Sequence, residues 1–330
     1  MRIRVLAQGD VRRLLSTADA LTAVREAFIA LDRGRAIMPQ PLELHLPDRD
    51  GELHVKGACL VDAPVFSVKT VCGFYRNREL GLPVTDGMTI VYDAATGMLR
   101  TLILDGGLLT QLRTAAAGAL AAELLARPDA RTAAVIGTGS QARHQVRALL
   151  AVRRIREIAV YGRNREAVGR YVADMSKADV RVVPAATVSD AVAGADIVIT
   201  ATPATRPLLR PEWLAPWAHV TAVGSDMPHK QELYPEILAA ADKYVPDSTE
   251  AAARCGELHH AIESGAFAIG SVYGELAALA SGRLPGRERE DELTVADLTG
   301  LGIQDAAVAA LVAERAEELA AGQHIALADA

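Results

Sequence analysis

Ala133-Ala134-Val135-Ile136-Gly137-Thr138-Gly139-Ser140-Gln141-Ala142 reads as a strand, a tight turn and the start of a helix. The apolar run stops at Gly137, which permits the turn. Gly139 lets the backbone approach a phosphate, and Ala142 takes the third small position, where helix and strand pack closely. The unpaired N–H groups of the helix start then face an anion. Gly137, Thr138, Gly139, Ser140 and Gln141 are thus candidate contacts for the pyrophosphate of a dinucleotide. A lone G-x-G-x-x-A also matches ordinary turns; here strand and helix signals flank it on both sides.

Moving outward, Glu157-Ile158-Ala159-Val160-Tyr161 reads as the second strand of the same unit. A site for NAD usually carries Asp or Glu at the end of that strand, bonding the ribose 2′-hydroxyl. This chain has Gly162-Arg163-Asn164-Arg165 instead. Two guanidiniums and an amide suit a 2′-phosphate, because Arg grips phosphate oxygens in a bidentate fork. Arg163, Asn164 and Arg165 therefore favour NADP(H), with NAD(H) as the alternative. The plain structural reading is a solvated turn with surface arginines.

Strand signals recur at Ala133–Ile136, Ile158–Tyr161, Val180–Val183, Ile197–Thr200, Val220–Val223, Tyr244–Val245 and Leu293–Val295, with helical stretches between most of them. Such alternation predicts an α/β fold with a Rossmann-type, doubly wound parallel sheet over residues 129–301. Thr202, Val223 and Gly224, at the ends of two of these strands, are further expected cofactor contacts. The region before it differs. Ser16 to Leu31 reads as an amphipathic helix, with Leu21, Val24, Phe28 and Leu31 on one face. Residues 42–104 give short strands with turns at Asp50-Gly51 and Thr96-Gly97, an antiparallel sheet with hairpins. Leu108 to Ala126 is a long helix closed by Arg127-Pro128-Asp129, where the boundary is placed. A last helix, Gly302 to Ala321, is expected to return to the first domain. Residues 1–128 with 302–330 thus form an α+β substrate and dimerisation domain. The charged stretch Gly286 to Glu292 reads as a surface loop.

Composition excludes several classes. The chain has 330 residues, 50% of them hydrophobic and only 4% aromatic, which suits a two-domain, helix-rich α/β protein. Its net charge is −6, and it has no basic run to suggest nucleic acid. Cys59, Cys72 and Cys255 lack disulfide or metal spacing, which fits a reducing, cytoplasmic setting. The start lacks a signal-peptide core, and no apolar run reaches membrane-spanning length, so no membrane partner is expected.

Three blocks together resemble the ornithine cyclodeaminase/mu-crystallin family: Leu109-Thr110-Gln111-Leu112-Arg113-Thr114-Ala115-Ala116-Ala117, the Gly137 turn, and Ala222-Val223-Gly224-Ser225-Asp226 followed by Lys230-Gln231-Glu232-Leu233. The likeness runs over nearly the whole chain. His54-Val55-Lys56-Gly57-Ala58, Cys255-Gly256-Glu257-Leu258-His259-His260-Ala261-Ile262 and Leu301-Gly302-Ile303-Gln304-Asp305 look closer to its ectoine-utilisation and iminosuccinate-reductase branches. The resemblance implies a homodimer built through the N-terminal domain, a nicotinamide dinucleotide and a small amino- or imino-acid substrate.

Candidate chemistry then falls on a few residues. Lys69 sits in an apolar strand, where an inward cation needs an anionic partner; the family implies that it touches substrate near the reacting centre. The bland reading is a lysine whose head snorkels to water. Arg113 is a rigid carboxylate clamp by chemistry and, by resemblance, grips the substrate carboxylate; Thr114 is expected at a cofactor phosphate. Asp226 follows a predicted strand at the edge where doubly wound sheets bind ligands, and suits proton transfer or the holding of a cationic nitrogen; a helix cap is the alternative. Two departures from the cyclodeaminase pattern stand out. The arginine of the Met38–Leu44 segment is missing, and a family glutamate near position 56 has become Lys56. Lys56, Lys69 and Arg113 then form a three-cation cluster suited to an acidic substrate, with Asp86 a partner of one of those cations, a holder of a substrate amine, or simply the first residue of an Asp-Gly turn. His54, Glu257, His259 and His260 are read as capping or packing groups, with acid–base work the alternative; two candidate ligands without a third argue against a metal. These readings favour NAD(P)H-dependent reduction of a small α-imino or α-keto acid. The alternatives are a cyclodeaminase with bound NAD and a non-catalytic NADPH-binding protein.

Overall fold

The computed structural model describes residues 2–176 and 180–326. The chain divides into two units, Met1–Arg113 with Leu301–Ala330, and Thr114–Gly300. The division falls inside the helix Leu108–Leu125, ahead of the Arg127-Pro128-Asp129 boundary expected from sequence. No turn marks the change, because that helix runs unbroken through Arg113 and Thr114.

In the second unit, Thr132–Ile136, Glu157–Tyr161, Arg181–Pro184, Ile197–Thr200, His219–Ala222, Lys243–Pro246 and Thr294–Asp297 form one sheet, and every described pair in it is parallel. The first three strands run outward in one direction. The chain then returns to the other side of Thr132–Ile136 with Ile197–Thr200. This reversal is the doubly wound pattern, and it opens a crevice at the carboxyl ends of those two strands. Ile197–Thr200, His219–Ala222, Lys243–Pro246 and Thr294–Asp297 are buried at every position, as strands covered on both faces must be. Their polar members are paired: the His219 ring lies between the hydroxyls of Thr294 and Thr221, at 3.0 and 2.9 Å. The helix Ser140–Val152 buries Ala142, Val146 and Leu149 in the core of this unit.

The stretch Gly286 to Glu292 is not the plain surface loop expected. Arg287 donates to the carbonyls of Leu125 and Glu292, each at 2.7 Å, and to that of Trp217 at 3.1 Å. Glu292 is buried. One guanidinium thus satisfies carbonyls at the end of the long helix and at the sheet edge.

In the first unit the sheet order is Gln323–Ala326, Arg2–Ala7, Leu99–Leu104, Thr85–Asp93, Val65–Phe74 and Gly51–Leu60, with Ala36–Ile37 and Leu42–Leu46 both on Gly51–Leu60. All pairs are antiparallel except Arg2–Ala7 with Leu99–Leu104. The two terminal strands carry no strong signal in the sequence. The helix Thr17–Asp32 starts at Ser16, whose hydroxyl accepts from the Asp19 amide in a capping box. It packs against Gly302–Glu318, which lies across Gly51–Leu60 and Val65–Phe74. The approach is close: a Cβ on Gly302 would stand 2.7 Å from the Gly57 carbonyl oxygen. The opposite face of the sheet carries Leu42, Leu44, Val68, Met88, Ile90 and Leu104 by alternation, and four of these are exposed, Leu42 by 60%. Phe66 and Tyr92 stack on that face. No described helix is long and apolar enough to cross a membrane.

Candidate active site

The candidate residues fall into two sets, one per unit. In the first unit, Lys56 and Lys69 stand directly opposite each other on neighbouring strands, buried beneath the helix Gly302–Glu318. Like charges in that register repel. The charge that offsets them is Asp305, in the first turn of the helix. Its carboxylate lies 2.9 Å from Lys69 Nζ and accepts from Arg113 Nε at 2.9 Å. Arg113 Nη1 donates to Gln304 Oε1 at 2.7 Å. Burial pushes the Lys69 ammonium down to about 7; Asp305 opposes this, while Arg113 and Lys56 add to it. Burial also pushes Asp305 up, but Arg113 and Lys69 outweigh it and hold the carboxyl below its ordinary range. Lys69 therefore has a proton to give or take near neutrality.

Asp105 fixes the helix that carries Arg113. Its carboxylate accepts from the amides of Gly107, at 3.0 Å, and Leu109, at 2.5 Å. Gly106 and Gly107 both adopt left-handed φ values, which lets the chain turn sharply into the helix. A small hollow beside Lys69 is lined by Val71, Gly87, Thr89, Asp105 and Thr110. Asp86 is not part of this set. It lies three residues from Thr89, which faces Lys69, so the pleat turns it to the opposite face. It is exposed there, and its carboxylate accepts from the Gly87 amide at 2.8 Å. Neither the cation pairing nor the turn fits: Asp86 does not face the cations, and Asp86-Gly87 lies within the strand Thr85–Asp93, opposite Cys72 and Val71, and not in a turn.

In the second unit, Gly137 has φ +122°, and a Cβ there would stand 2.4 Å from the Ala201 carbonyl oxygen. Only glycine fits, at the point where the sheet reverses. Around Gly139 the space is open, and the helix Ser140–Val152 has no side chain on its first N–H groups. Ser140 is exposed and Gln141 half-buried on that first turn. These features fit a dinucleotide pyrophosphate. Arg143 braces the turn: it donates to the Thr138 carbonyl, pairs with Asp174 at 2.9 Å and lies over the Tyr171 ring. Thr114 reaches the same helix through its carbonyl, which accepts from Gln145 at 3.0 Å. The turn Gly162–Arg165 sits against Thr138, since a Cβ on Gly162 would meet Thr138 Cγ2 at 2.7 Å. Arg163 and Arg165 are exposed and have no partner among the described residues. Asn164 differs from the expectation: its side-chain oxygen accepts from the Ala167 amide at 3.0 Å and caps the next helix, so it shapes the turn.

Asp226 opens a loop between two strand ends. It pairs with the buried Lys230 at 2.7 Å. The Lys230 carbonyl accepts from Ser225 Oγ and from His260 Nε2, each at 2.7 Å. Next in the chain, buried Glu232 accepts from Thr200 Oγ1, from the Thr202 amide and hydroxyl, and from the Gly224 amide, all within 2.8 Å. Thr202 and Gly224 are therefore engaged inside the protein, and the Val223 amide bonds the Thr200 carbonyl. Glu257 accepts from the amides of Glu232 and Leu233, while His260 turns to Lys230, so the two do not act as a pair. Burial, with Asp297 and Glu232 nearby, pushes Glu257 well above the usual carboxylate range.

Residues 2–320 match the ornithine cyclodeaminase/mu-crystallin family. The chain belongs to that family. Among its relatives, an uncharacterized cyclodeaminase of Sinorhizobium fredii, y4tK, is 43% identical over 97% of this chain and 98% of its own. An archaeal alanine dehydrogenase dimer with bound NAD superposes with a TM-score of 0.93 at 33% identity, covering 99% of each chain. The iminosuccinate reductase of Paracoccus denitrificans, in complex with NAD+, gives 0.90 at 29% identity, covering 99% of this chain and 100% of that one.

Several residues that hold these family positions were not assigned from sequence. Asp305, Gln304, Lys230, Glu232 and Asp105 supply the ion pairs and hydrogen bonds around Lys69, Arg113 and Asp226. Asp105 carries a local signal, as an acidic residue shortly before the apolar start of the helix Leu108–Leu125. The others carry no local signal.

Proposed function

We propose that this protein reduces a small α-imino or α-keto acid with a nicotinamide dinucleotide, as an NAD(P)-dependent oxidoreductase acting on C–N bonds. Lys69 carries this reading: a buried lysine held by Asp305 and brought to about 7, beside Arg113. Arg113 keeps Nη2 without a partner among the described residues and would take the substrate carboxylate there. Lys69 would give a proton at the substrate nitrogen in reduction and take one in amine oxidation. Asp226, anchored by Lys230, would hold the cationic nitrogen. The glycine turn would hold the pyrophosphate. When bound, the cofactor supplies or accepts the hydride at the substrate Cα.

Arg163 and Arg165 support NADP(H) over NAD(H). They stand exposed beside the glycine turn, without a partner among the described residues, and the sequence has no acidic residue at that strand end. A homodimer is supported by the exposed apolar sheet face around Leu42, Leu44 and Met88. A cyclodeaminase is the second reading, favoured by the name of the relative at 43% identity. The test is NADPH and NADH oxidation with pyruvate, glyoxylate or oxaloacetate plus ammonia or methylamine, with cyclic imines alongside. Oxidation that is fastest with NADPH, and slowed selectively for NADPH by Arg163→Ala, supports the proposal. Ammonia release from ornithine or lysine without net cofactor oxidation supports the second reading and sinks the first.

A further inference from the structure

Three side chains on the helix Glu257–Glu263 have no part in the chemistry above. His259, His260 and Glu263 each bring one ligand atom to within 4.8 Å of the other two. Sequence spacing offers Glu257 and His260 and no third ligand. In the fold Glu257 turns inward to the amides of Glu232 and Leu233, and Glu263 joins the histidines in its place. His259 Nε2 lies 3.5 Å from the Glu263 carboxylate, at the i, i+4 spacing that puts two side chains on one helix face. The two imidazole rings stand 5.0 Å apart at 71°. Both rings are half-buried and the carboxylate is exposed, so the group is open to solvent on one side and supported on the other.

That support fixes which nitrogen of each ring is a ligand. His259 Nδ1 lies 3.2 Å from the Ala253 carbonyl oxygen, and His260 Nε2 lies 2.7 Å from that of Lys230. A carbonyl only accepts, so these two nitrogens carry the hydrogen, and in the neutral imidazole the other nitrogen of each ring presents a lone pair. A ring N–H held by a backbone carbonyl is the usual support behind a metal-bound histidine, because it fixes tautomer and ring orientation together. An ion pair between His259 and Glu263 needs a charged ring and engages only one of the two histidines. Two imidazoles and one carboxylate, with water in the remaining position, suit a borderline ion such as Zn2+. We propose that His259, through Nε2, His260, through Nδ1, and Glu263 bind a divalent transition ion of the zinc class. The ion has a structural consequence at the candidate active site. His260 holds the carbonyl of Lys230, whose ammonium anchors Asp226 at 2.7 Å. Fixing His260 from its other nitrogen braces that loop against the helix.

The test uses the full chain without a histidine tag, stripped of metal with EDTA. Co2+ uptake is followed by its visible absorption, and Zn2+ uptake by competition with a chromophoric chelator. Wild type should take up one ion per chain. His259→Leu and Glu263→Ala should each weaken uptake about 100-fold or more, beyond what loss of a supporting partner costs. His324→Gln, at an exposed histidine of the other unit, should leave it unchanged. Glu263 is exposed, so its variant keeps the test sound where His259→Leu folds poorly. Amide hydrogen exchange then reads the brace: Zn2+ should slow exchange across residues 230–233 in wild type and not in Glu263→Ala. No uptake, or equal uptake by wild type and Glu263→Ala, would overturn the site. Uptake that depends on Glu263 with exchange unmoved would support the site and overturn the brace. Neither outcome touches the reductase reading, which rests on other residues.

Discussion

Replacing Asp305 by Asn removes the one charge that Lys69 and Arg113 share while keeping a side chain of the same shape. At 2.9 Å, the Lys69–Asp305 attraction is of order 6 kcal/mol at an effective dielectric of about 20. Relaxation and water take back much of this. A third of it, about 2 kcal/mol, still lowers the lysine by more than a full pH unit, from about 7 to below about 6. The sign follows from the role. On the proposed role, reduction needs protonated Lys69, so kcat/KM in wild type should be flat below about 7 and fall above it. In Asp305→Asn the fall begins more than a unit earlier, and the rate at neutral pH drops about tenfold. Amine oxidation needs the neutral lysine, so its acid-side break moves down by the same amount. The assay is steady-state cofactor oxidation and reduction over a pH series, with melting curves to confirm folding. Losing one partner of a buried pair costs about 3–5 kcal/mol, so a lowered Tm is expected as well. A folded Asp305→Asn variant whose break stays near 7 would refute the assignment of Lys69 as the titrating acid.

Gly137→Ala drives a Cβ to 2.4 Å from the Ala201 carbonyl in a left-handed conformation, so NADPH and NADH affinity should both fall by about tenfold or more in a fluorescence titration; unchanged affinity would mean that the turn does not carry the nucleotide. Glu232→Gln places a donor against the Gly224 and Thr202 amides, and should weaken turnover more than it weakens binding to the pyrophosphate turn; an equal loss in both would point to general misfolding. Asp297 is pushed by burial, with Asp247 adding, from 3.8 up to about 7, although Tyr244 donates to it. A raised acid leaves the folded state holding the proton, so stability should decline as pH rises from about 4 to 7, and Asp297→Asn should flatten that decline in a Tm series.

The nucleotide unit was readable because its signals are local. Ala133 to Ala142 places strand, turn and helix in ten residues, and burial on both faces leaves short, mostly apolar strands such as Ile197–Thr200 after it. The cations were readable for a related reason: Lys69 in an apolar strand is conspicuous. Their counter-ion was not. Asp305 opens a helix rich in alanine and valine, and it meets Arg113 from 192 residues away in the chain. No spacing rule spans that distance. Asp86 was misplaced by a parity the sequence does show, since three residues separate it from Thr89. Asn164 was read for its amide, when its position before a helix makes a cap the stronger claim.

The order in which the chain is made bears on Asp305. Synthesis delivers Lys69 and Arg113 early and the whole of Thr114–Gly300 next, whereas Asp305 arrives only with the last segment. The nucleotide unit is continuous and is free to fold while residues 301 onward are still being added. Until then two buried-site cations lack their shared anion, and the face of the sheet that Gly302–Glu318 will cover lies open. A product truncated at residue 300 should therefore keep a folded nucleotide unit yet lack a properly closed first unit. Completion of the chain is what gives Lys69 its counter-ion.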